Sequence, residues 1–183
     1  MLKQRQTEPK KMSILSIIMA PDPNLKKRCA PVDRVDDEIR RVMDDMLETM
    51  YIAPGVGLAA PQVGVLLRII VVDTSDGKGN RQPLKMANPE VVGASDEIIL
   101  REEGCLSFPG QYEDVGRPAT VRVRYLDYEN KIREIDAEGI QSVCVQHEID
   151  HLDGVLLVDH LSGLKRSIII RRMAKLKKAS ASV

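Results

Sequence analysis

The 183-residue sequence predicts an α+β fold with antiparallel β-sheet. Strand patterns are grouped apart from helical patterns, whereas a parallel sheet would need the two to alternate. The segment TVRVRY (120–125) alternates strictly between apolar and polar residues, with Val121, Val123 and Tyr125 on one face. A turn at 128–131 then leads to a second strand near 132–136, and the two form a predicted hairpin. The length is that of one domain, expected over residues 12–183.

The first half of the chain contributes two strands and one helix to this prediction. Residues 1–11 are expected to form a disordered extension, and SILSIIMA (13–20) a short first strand that ends at Pro21. Apolar residues recur at helical spacing over 35–51, with Asp33 or Asp36 as the N-cap. RIIVVDT (68–74) is typical of a buried strand, and the polar stretch at 75–80 of the turn after it.

Two helices are predicted after the hairpin. The first spans 139–152, and Gly154 is well placed to stop it. The second spans 162–178 and carries only basic charges, because no acidic residue follows Asp159. Its inward face is predicted to consist of Leu164, Ile168, Ile169, Met173 and Leu176.

Composition excludes several classes of protein. The 27 basic and 27 acidic residues balance, which argues against nucleic-acid or membrane binding by the protein as a whole. Three cysteines, an odd number, do not indicate a disulfide framework, so a reducing environment inside the cell is expected. No apolar run is long enough to cross a bilayer.

The segment QHEIDH (146–151) predicts a metal site. On a helix, residues four apart share a face and lie about 6 Å apart, so His147 and His151 can converge on one ion. Glu148 lies beside that ion, where it can accept a proton from water without being a ligand. The alternative is an exposed helix that carries two histidines by chance.

The third ligand is left open by the spacing. A metzincin site requires histidine where this chain has Leu157, and no glutamate lies downstream for a thermolysin-like site; Asp153 and Asp159 remain formally possible. Cys105, in EEGCLSFPG (102–110), is balanced between a ligand and a buried cysteine. Cys144 is too far along the helix from His151 to share its ion. It is therefore expected to be buried and to line a pocket.

The glycine-rich stretch GVGLAAPQVG (55–64) superficially matches a dinucleotide-binding fingerprint. That fingerprint must follow a strand and open a helix, whereas here a helix precedes it and Pro61 opposes a helix start. Two interpretations remain. It is either a tight loop whose backbone approaches a ligand, ending in Gln62, or a closely packed connection between a helix and a strand.

Taken together, GVGLAAPQ (55–62), EGCLS (103–107) and QHEIDH (146–151) resemble the three signature motifs of the peptide deformylase family. The similarity covers nearly the whole chain except residues 1–11. It implies antiparallel β-sheets packed around a central helix that carries the HExxH motif, followed by a C-terminal helix of the type found in Gram-negative bacterial members. Residues 12–183 would then be a single catalytic domain.

The resemblance also implies a reaction. Cys105, His147 and His151 would bind one divalent metal ion, Fe(II) in the cell and Zn, Ni or Co in purified protein. A metal-bound water would attack the formyl group of an N-terminal formylmethionine and release formate. Glu148 would be the general base and then the acid. The Gln62 side chain and the Leu106 backbone N–H would stabilise the oxyanion.

Substrate and partners follow from the same resemblance. The backbone around Gly57 would pair with a nascent formylmethionyl peptide, and the methionine pocket would be lined by Val56, Ile140, Val143 and Cys144. Neither DNA nor membrane is an expected partner, and a bacterial cytoplasm is the expected location. The basic last helix could contact the ribosome. Two alternatives remain: a zinc peptidase with an unusual third ligand, and a ribosome-associated binding module built on an inactive deformylase scaffold.

Overall fold

The computed structural model describes residues 13–75 and 79–180, and the predicted α+β class is confirmed within them. The predicted extension at residues 1–11 lies outside the described residues. The described part contains three α-helices, α1 (Asp37–Ile52), α2 (Gly139–Leu152) and α3 (Gly163–Ser180). Its seven strands are β1 (Gly57–Ala59), β2 (Ile69–Val72), β3 (Leu84–Ala94), β4 (Ile98–Gly104), β5 (Tyr112–Pro118), β6 (Thr120–Leu126) and β7 (Ile132–Glu138).

All strand pairs are antiparallel, as predicted, and they form two sheets. The larger sheet has the order β1-β2-β3-β6-β7, and β4 pairs with β5 in a separate two-stranded sheet. The hairpin of β6 and β7 is confirmed, with Val121, Val123 and Tyr125 buried on one face. Because β1 is the first strand of the larger sheet, its outer edge pairs with no strand of the described chain.

Helix α2 is the central helix of the fold. Successive residues of β2 point to opposite faces of the sheet, so that Ile70 and Val72 pack with the α2 residue Val145. On the other face, Ile69 and Val71 pack against the methionines of α1, which are Met43, Met46 and Met50. The predicted bounds of α2 are confirmed, and Gly154 follows its end with a left-handed φ of 76°. An added Cβ at Gly154 would lie 2.9 Å from the Lys26 carbonyl carbon, so close packing also requires glycine there.

Some predicted elements are wrong. Residues 13–20 form no strand; this segment is instead tied by isolated hydrogen bonds, from Ile18 N–H to the Gln62 carbonyl and from Ala20 N–H to the Ser107 carbonyl. The helix predicted over 35–51 is confirmed as α1, which begins at Asp37, and of the two predicted N-caps the structure has Asp36.

The inward face predicted for α3 is only partly correct. Ile169 and Met173 are buried, but Leu164 is 71% exposed, and Ile168 and Leu176 are each 43% exposed. The reason is that α3 packs through a narrow stripe against Phe108 and the 3₁₀ turn at Leu157–His160, not through a full helix face. None of the described helices is long and apolar enough to span a membrane.

Candidate active site

The three predicted metal-binding residues come together at the end of β4. Cys105 follows the last residue of that strand, and α2 presents His147 and His151, whose ring centroids are 5.0 Å apart. The potential ligand atoms of the three residues all lie within 4.8 Å of one another. The Cys105 Sγ is 3.3 Å from the His151 Nε2. This arrangement can hold one metal ion.

The other residues considered as third ligands lie elsewhere. Asp153 pairs with Arg68, its Oδ1 2.8 Å from the guanidinium Nη1. Asp159 pairs with Lys26 and accepts the Leu156 backbone N–H. The geometry therefore favours Cys105, which the sequence alone left open.

The donor set suits a divalent transition metal. One thiolate and two imidazoles are ligands that Zn and Fe(II) accept, and all three side chains are largely removed from water. Burial holds the pKa of His151 well below its usual range, which favours the neutral ring that coordination requires. The His147 Nδ1 is 2.8 Å from the Glu103 Oε2, which directs Nε2 of the same ring toward the ligand group.

A buried ionic network behind His147 was not predicted from the sequence. The Arg117 guanidinium binds both carboxylate oxygens of Glu103, Nε at 2.5 Å from Oε1 and Nη2 at 3.0 Å from Oε2. It also reaches Asp150, with Nη1 2.9 Å from Oδ2. Although burial opposes it, hydrogen bonds from His147 and Arg117 keep the pKa of Glu103 below its ordinary value. The only signal in the sequence was the glutamate of EGCLS, and Arg117 stands in no motif.

Glu148 lies at the floor of the site. Its side chain is 5% exposed, and its Oε2 has no hydrogen-bond partner within the described chain. Burial raises the pKa of Glu148 to about 7. The backbone of β1 passes directly over this carboxylate, since a Cβ added to Gly57 would collide with Glu148 and lie 2.7 Å from the Cys144 Sγ. Only glycine leaves room at this position.

Gln62 is held rigidly beside Cys105. It is 2% exposed and lies in a 3₁₀ turn, Ala60–Val63, that follows β1. Its Oε1 accepts the Ala59 backbone N–H at 2.8 Å. That bond orients the amide so that Nε2 donates to the Ser107 Oγ at 3.1 Å and lies 3.5 Å from the Cys105 Sγ. The glycine-rich stretch is thus a short strand and a turn, and its small residues let the backbone approach the site.

A cleft of about 470 Å³ opens over these groups. Val143 and Cys144 are buried in its wall, whereas Ile140 and Val56 are 61% and 46% exposed at its rim. Burial raises the pKa of the Cys144 thiol well above its ordinary value, so this side chain is a neutral lining group. The cleft brings together all the sequence-predicted site residues except His151, which lies behind them: Val56, Gly57, Gln62, Cys105, Leu106, Ile140, Val143, Cys144, His147 and Glu148.

Comparisons with known proteins agree with one another. The family model described as polypeptide deformylase matches residues 14–167. A peptide deformylase of Phenylobacterium zucineum is 53% identical over 169 residues, which cover 92% of this chain and 100% of the relative. One of Alkalilimnicola ehrlichii is 55% identical over 165 residues, with coverages of 90% and 92%.

Solved structures give the same result. A peptide deformylase from Ehrlichia chaffeensis superposes with a TM-score of 0.87 at 38% identity, and the match covers 92% of this chain and 99% of that one. A structure of peptide deformylase from the same organism in complex with actinonin superposes with a TM-score of 0.86 at 42% identity, with coverages of 90% and 98%.

Proposed function

The chain belongs to the polypeptide deformylase family, and on that premise we propose how its own residues remove the formyl group from formylmethionine at the start of new polypeptides. The enzyme is a metal-dependent hydrolase that releases formate. The observation that carries the proposal is the grouping of Cys105, His147 and His151 beside the buried Glu148, at the floor of an apolar cleft.

Cys105, His147 and His151 would hold one divalent ion. Fe(II) is the ion proposed for the cell, and Zn, Ni or Co would suit the same thiolate and imidazole donors in purified protein. When bound, such an ion polarises the formyl oxygen and lowers the pKa of water in the site.

Glu148 would carry the proton through the reaction. Its carboxylate takes a proton from the attacking water as the oxygen adds to the formyl carbon. It then delivers that proton to the amide nitrogen while the carbon–nitrogen bond breaks, so that formate and a free amino terminus leave. The unpartnered Oε2 and the exclusion of bulk water around it support this role.

Gln62 and Leu106 would stabilise the negative charge that develops on the formyl oxygen. The Gln62 Nε2 and the Leu106 backbone N–H are the proposed donors. Because the Ala59 N–H already fixes the Gln62 amide, little reorganisation is needed when the charge appears. Loss of one such donor typically costs about 3–4 kcal/mol of transition-state stabilisation.

The cleft would bind both the backbone of the peptide and its methionine side chain. The outer edge of β1 at Gly57 would pair with the peptide backbone, which permits many sequences. Val56, Ile140, Val143 and Cys144 would receive the methionine side chain.

The methionine pocket is tested by exchanging formylmethionine for formylalanine in one peptide. We expect kcat/KM to fall at least tenfold, because the shorter side chain leaves the pocket unfilled. Equal kcat/KM values for the two peptides would refute the pocket.

The first functional test is formate release from a formyl-Met-Ala-Ser peptide by protein loaded anaerobically with Fe(II) or Ni(II). We expect release that stops when a chelator removes the metal and returns when the metal is restored. The same reaction, followed by mass spectrometry, distinguishes the peptidase alternative, which would cleave internal bonds. No formate from protein that holds one metal per chain would refute the proposal.

We also propose that α3 contacts the ribosome. The enzyme would then act in the bacterial cytoplasm, where new chains emerge from the ribosome. No acidic residue follows Asp159, and Leu164 and Ile168 are exposed among the basic side chains. We expect co-sedimentation with ribosomes at low salt, weakened by raised salt and by Arg171→Glu with Lys175→Glu. Lys131→Glu, in the turn between β6 and β7, is the control. Absence of co-sedimentation at low salt would exclude this contact. The alternative of a binding module on an inactive scaffold predicts a different result: the protein would co-sediment with ribosomes but release no formate.

A further inference from the structure

Asp150 is held from two sides just behind the metal-binding residues. Its Oδ2 accepts from the Arg117 Nη1 at 2.9 Å and lies 2.8 Å from the His160 Nε2. The side chain is 27% exposed, so the Asp150 carboxylate lies where the buried network meets the surface. The functional site described above assigns it no part.

The network connects the structural elements that supply the metal ligands. Glu103 lies two residues before Cys105 on β4, and Asp150 lies on α2 beside His151. Arg117 stands on β5 between them and is 4% exposed. Its Nε and Nη2 bind Glu103, and its Nη1 binds Asp150. One guanidinium therefore joins the strand before the cysteine to the helix of the histidines.

Both ends of this connection affect the ligands directly. The Glu103 carboxylate also fixes the His147 ring through Nδ1, so movement of Arg117 would turn that ring. The separation between β4 and α2 sets the distance that the ion must bridge between Cys105 and the histidines. Groups that orient metal ligands in this way typically change metal affinity 10- to 100-fold when they are removed.

We propose that Asp150 is a positioning residue for the metal site: through Arg117 and Glu103 it fixes the His147 ring and the spacing between the cysteine strand and the histidine helix. The inference rests on the proposed metal site. Without Asp150, Arg117 keeps only its bonds to Glu103, and this pair of side chains is tied to α2 only through the His147 ring within the described chain. The backbone of β5 stays tied to α2 by hydrogen bonds from the Ser142 hydroxyl and the Gln146 amide to the Pro118 carbonyl, but these bonds hold neither the Arg117 guanidinium nor the Glu103 carboxylate.

The chain offers a matched control on the same helix end. Asp153 lies three residues after Asp150 and is also paired with arginines, Arg68 and Arg28. Asp153 forms neither a hydrogen bond nor an ion pair with Arg117. Asp150→Asn and Asp153→Asn therefore remove the same charge within two residues of His151, and only the first removes a bond to Arg117.

The test uses full-length protein loaded with Co(II), which replaces the natural ion and has a thiolate-to-metal absorption band. Affinity is measured by competition with a chelator. For Asp150→Asn we expect roughly tenfold weaker Co(II) binding and a displaced or weakened band. For Asp153→Asn we expect changes below twofold. Equal effects in both variants would show a general charge effect and overturn the proposal, as would no effect in either.

A second pair of variants keeps the proposal testable if Asp150→Asn does not fold. His160→Leu removes the outer partner of Asp150, whereas His160→Gln retains an N–H near the same place. We expect weaker Co(II) binding in the first and recovery in the second, and equal affinities would overturn the proposal. Wild-type protein that binds no Co(II) would instead refute the metal site itself, so the two failures are distinguishable.

Discussion

Glu148→Gln should lower kcat by about 10³-fold while leaving the protein folded and metal-loaded. A positioned general base typically contributes 10²- to 10⁴-fold, and here the same carboxylate is proposed to act twice, as base and as acid. Glutamine preserves the volume of the side chain but cannot accept and return a proton. The measurement is steady-state formate release with a formylmethionyl tripeptide, with metal content determined in the same sample.

Two outcomes separate a chemical role of Glu148 from a structural one. If Glu148 moves the proton, the variant should keep one metal ion per chain and an unchanged melting temperature despite its low kcat. Activity within tenfold of the wild type would contradict the assignment. Loss of metal together with activity would mean that Glu148 supports the site rather than the reaction.

Gly57→Ala should lower kcat/KM on the order of 10²-fold. The added Cβ would collide with the Glu148 carboxylate and lie 2.7 Å from the Cys144 Sγ, and both groups are buried. Either β1 or the carboxylate must move, and a displacement of about 1 Å in a catalytic group can cost this much. The same methyl group would also obstruct a peptide that pairs with the edge of β1. We expect a fall in kcat together with a rise in KM.

Gly55→Ala is the matched control for this experiment. A Cβ at Gly55 would lie 2.8 Å from the Leu106 Cδ1, the far end of a flexible side chain, which can rotate away at small cost. We expect less than a fivefold loss of kcat/KM there. If the two alanine variants behaved alike, the close approach of β1 to Glu148 would not be the reason for glycine at position 57.

The parts of the fold that follow simple periodicity could be predicted from the sequence. Strand β6 was predicted with nearly its observed bounds because its residues alternate between the core and solvent. Helix α2 is buried on most sides and has no single apolar face; its predicted end came from the stop at Gly154. Strands β4 and β5 were missed because their pattern is inverted: Ile98 and Leu100 face solvent, whereas Glu103 and Arg117 are buried. Mutual ion pairing makes that burial tolerable, and periodicity does not detect it.

Some residues of the candidate site could likewise be predicted from a local pattern, whereas others depend on contacts between distant parts of the chain. Two histidines and a glutamate on one helix are a local pattern, so His147, Glu148 and His151 were predicted as site residues from spacing alone. Cys105 was predicted as a ligand only through resemblance, because its distance from the histidines depends on how β4 meets α2. The contacts of Arg117 with Glu103 and Asp150 depend additionally on the pairing of β4 with β5, which no local pattern predicted.

The proposed ligands come from positions far apart in the chain, Cys105 and His151 being 46 residues apart, so an unfolded chain offers a metal ion no preformed site. Bound metal therefore stabilises the native state by mass action, by about 4 kcal/mol when the free ion is a thousandfold above its dissociation constant. A strong chelator should lower the melting temperature on the order of 10 °C, and an unchanged melting temperature would exclude this linkage. A shortage of the metal would then reduce the stability of the protein as well as its turnover. Because cellular proteases remove unfolded chains, the abundance of the enzyme would fall along with its activity.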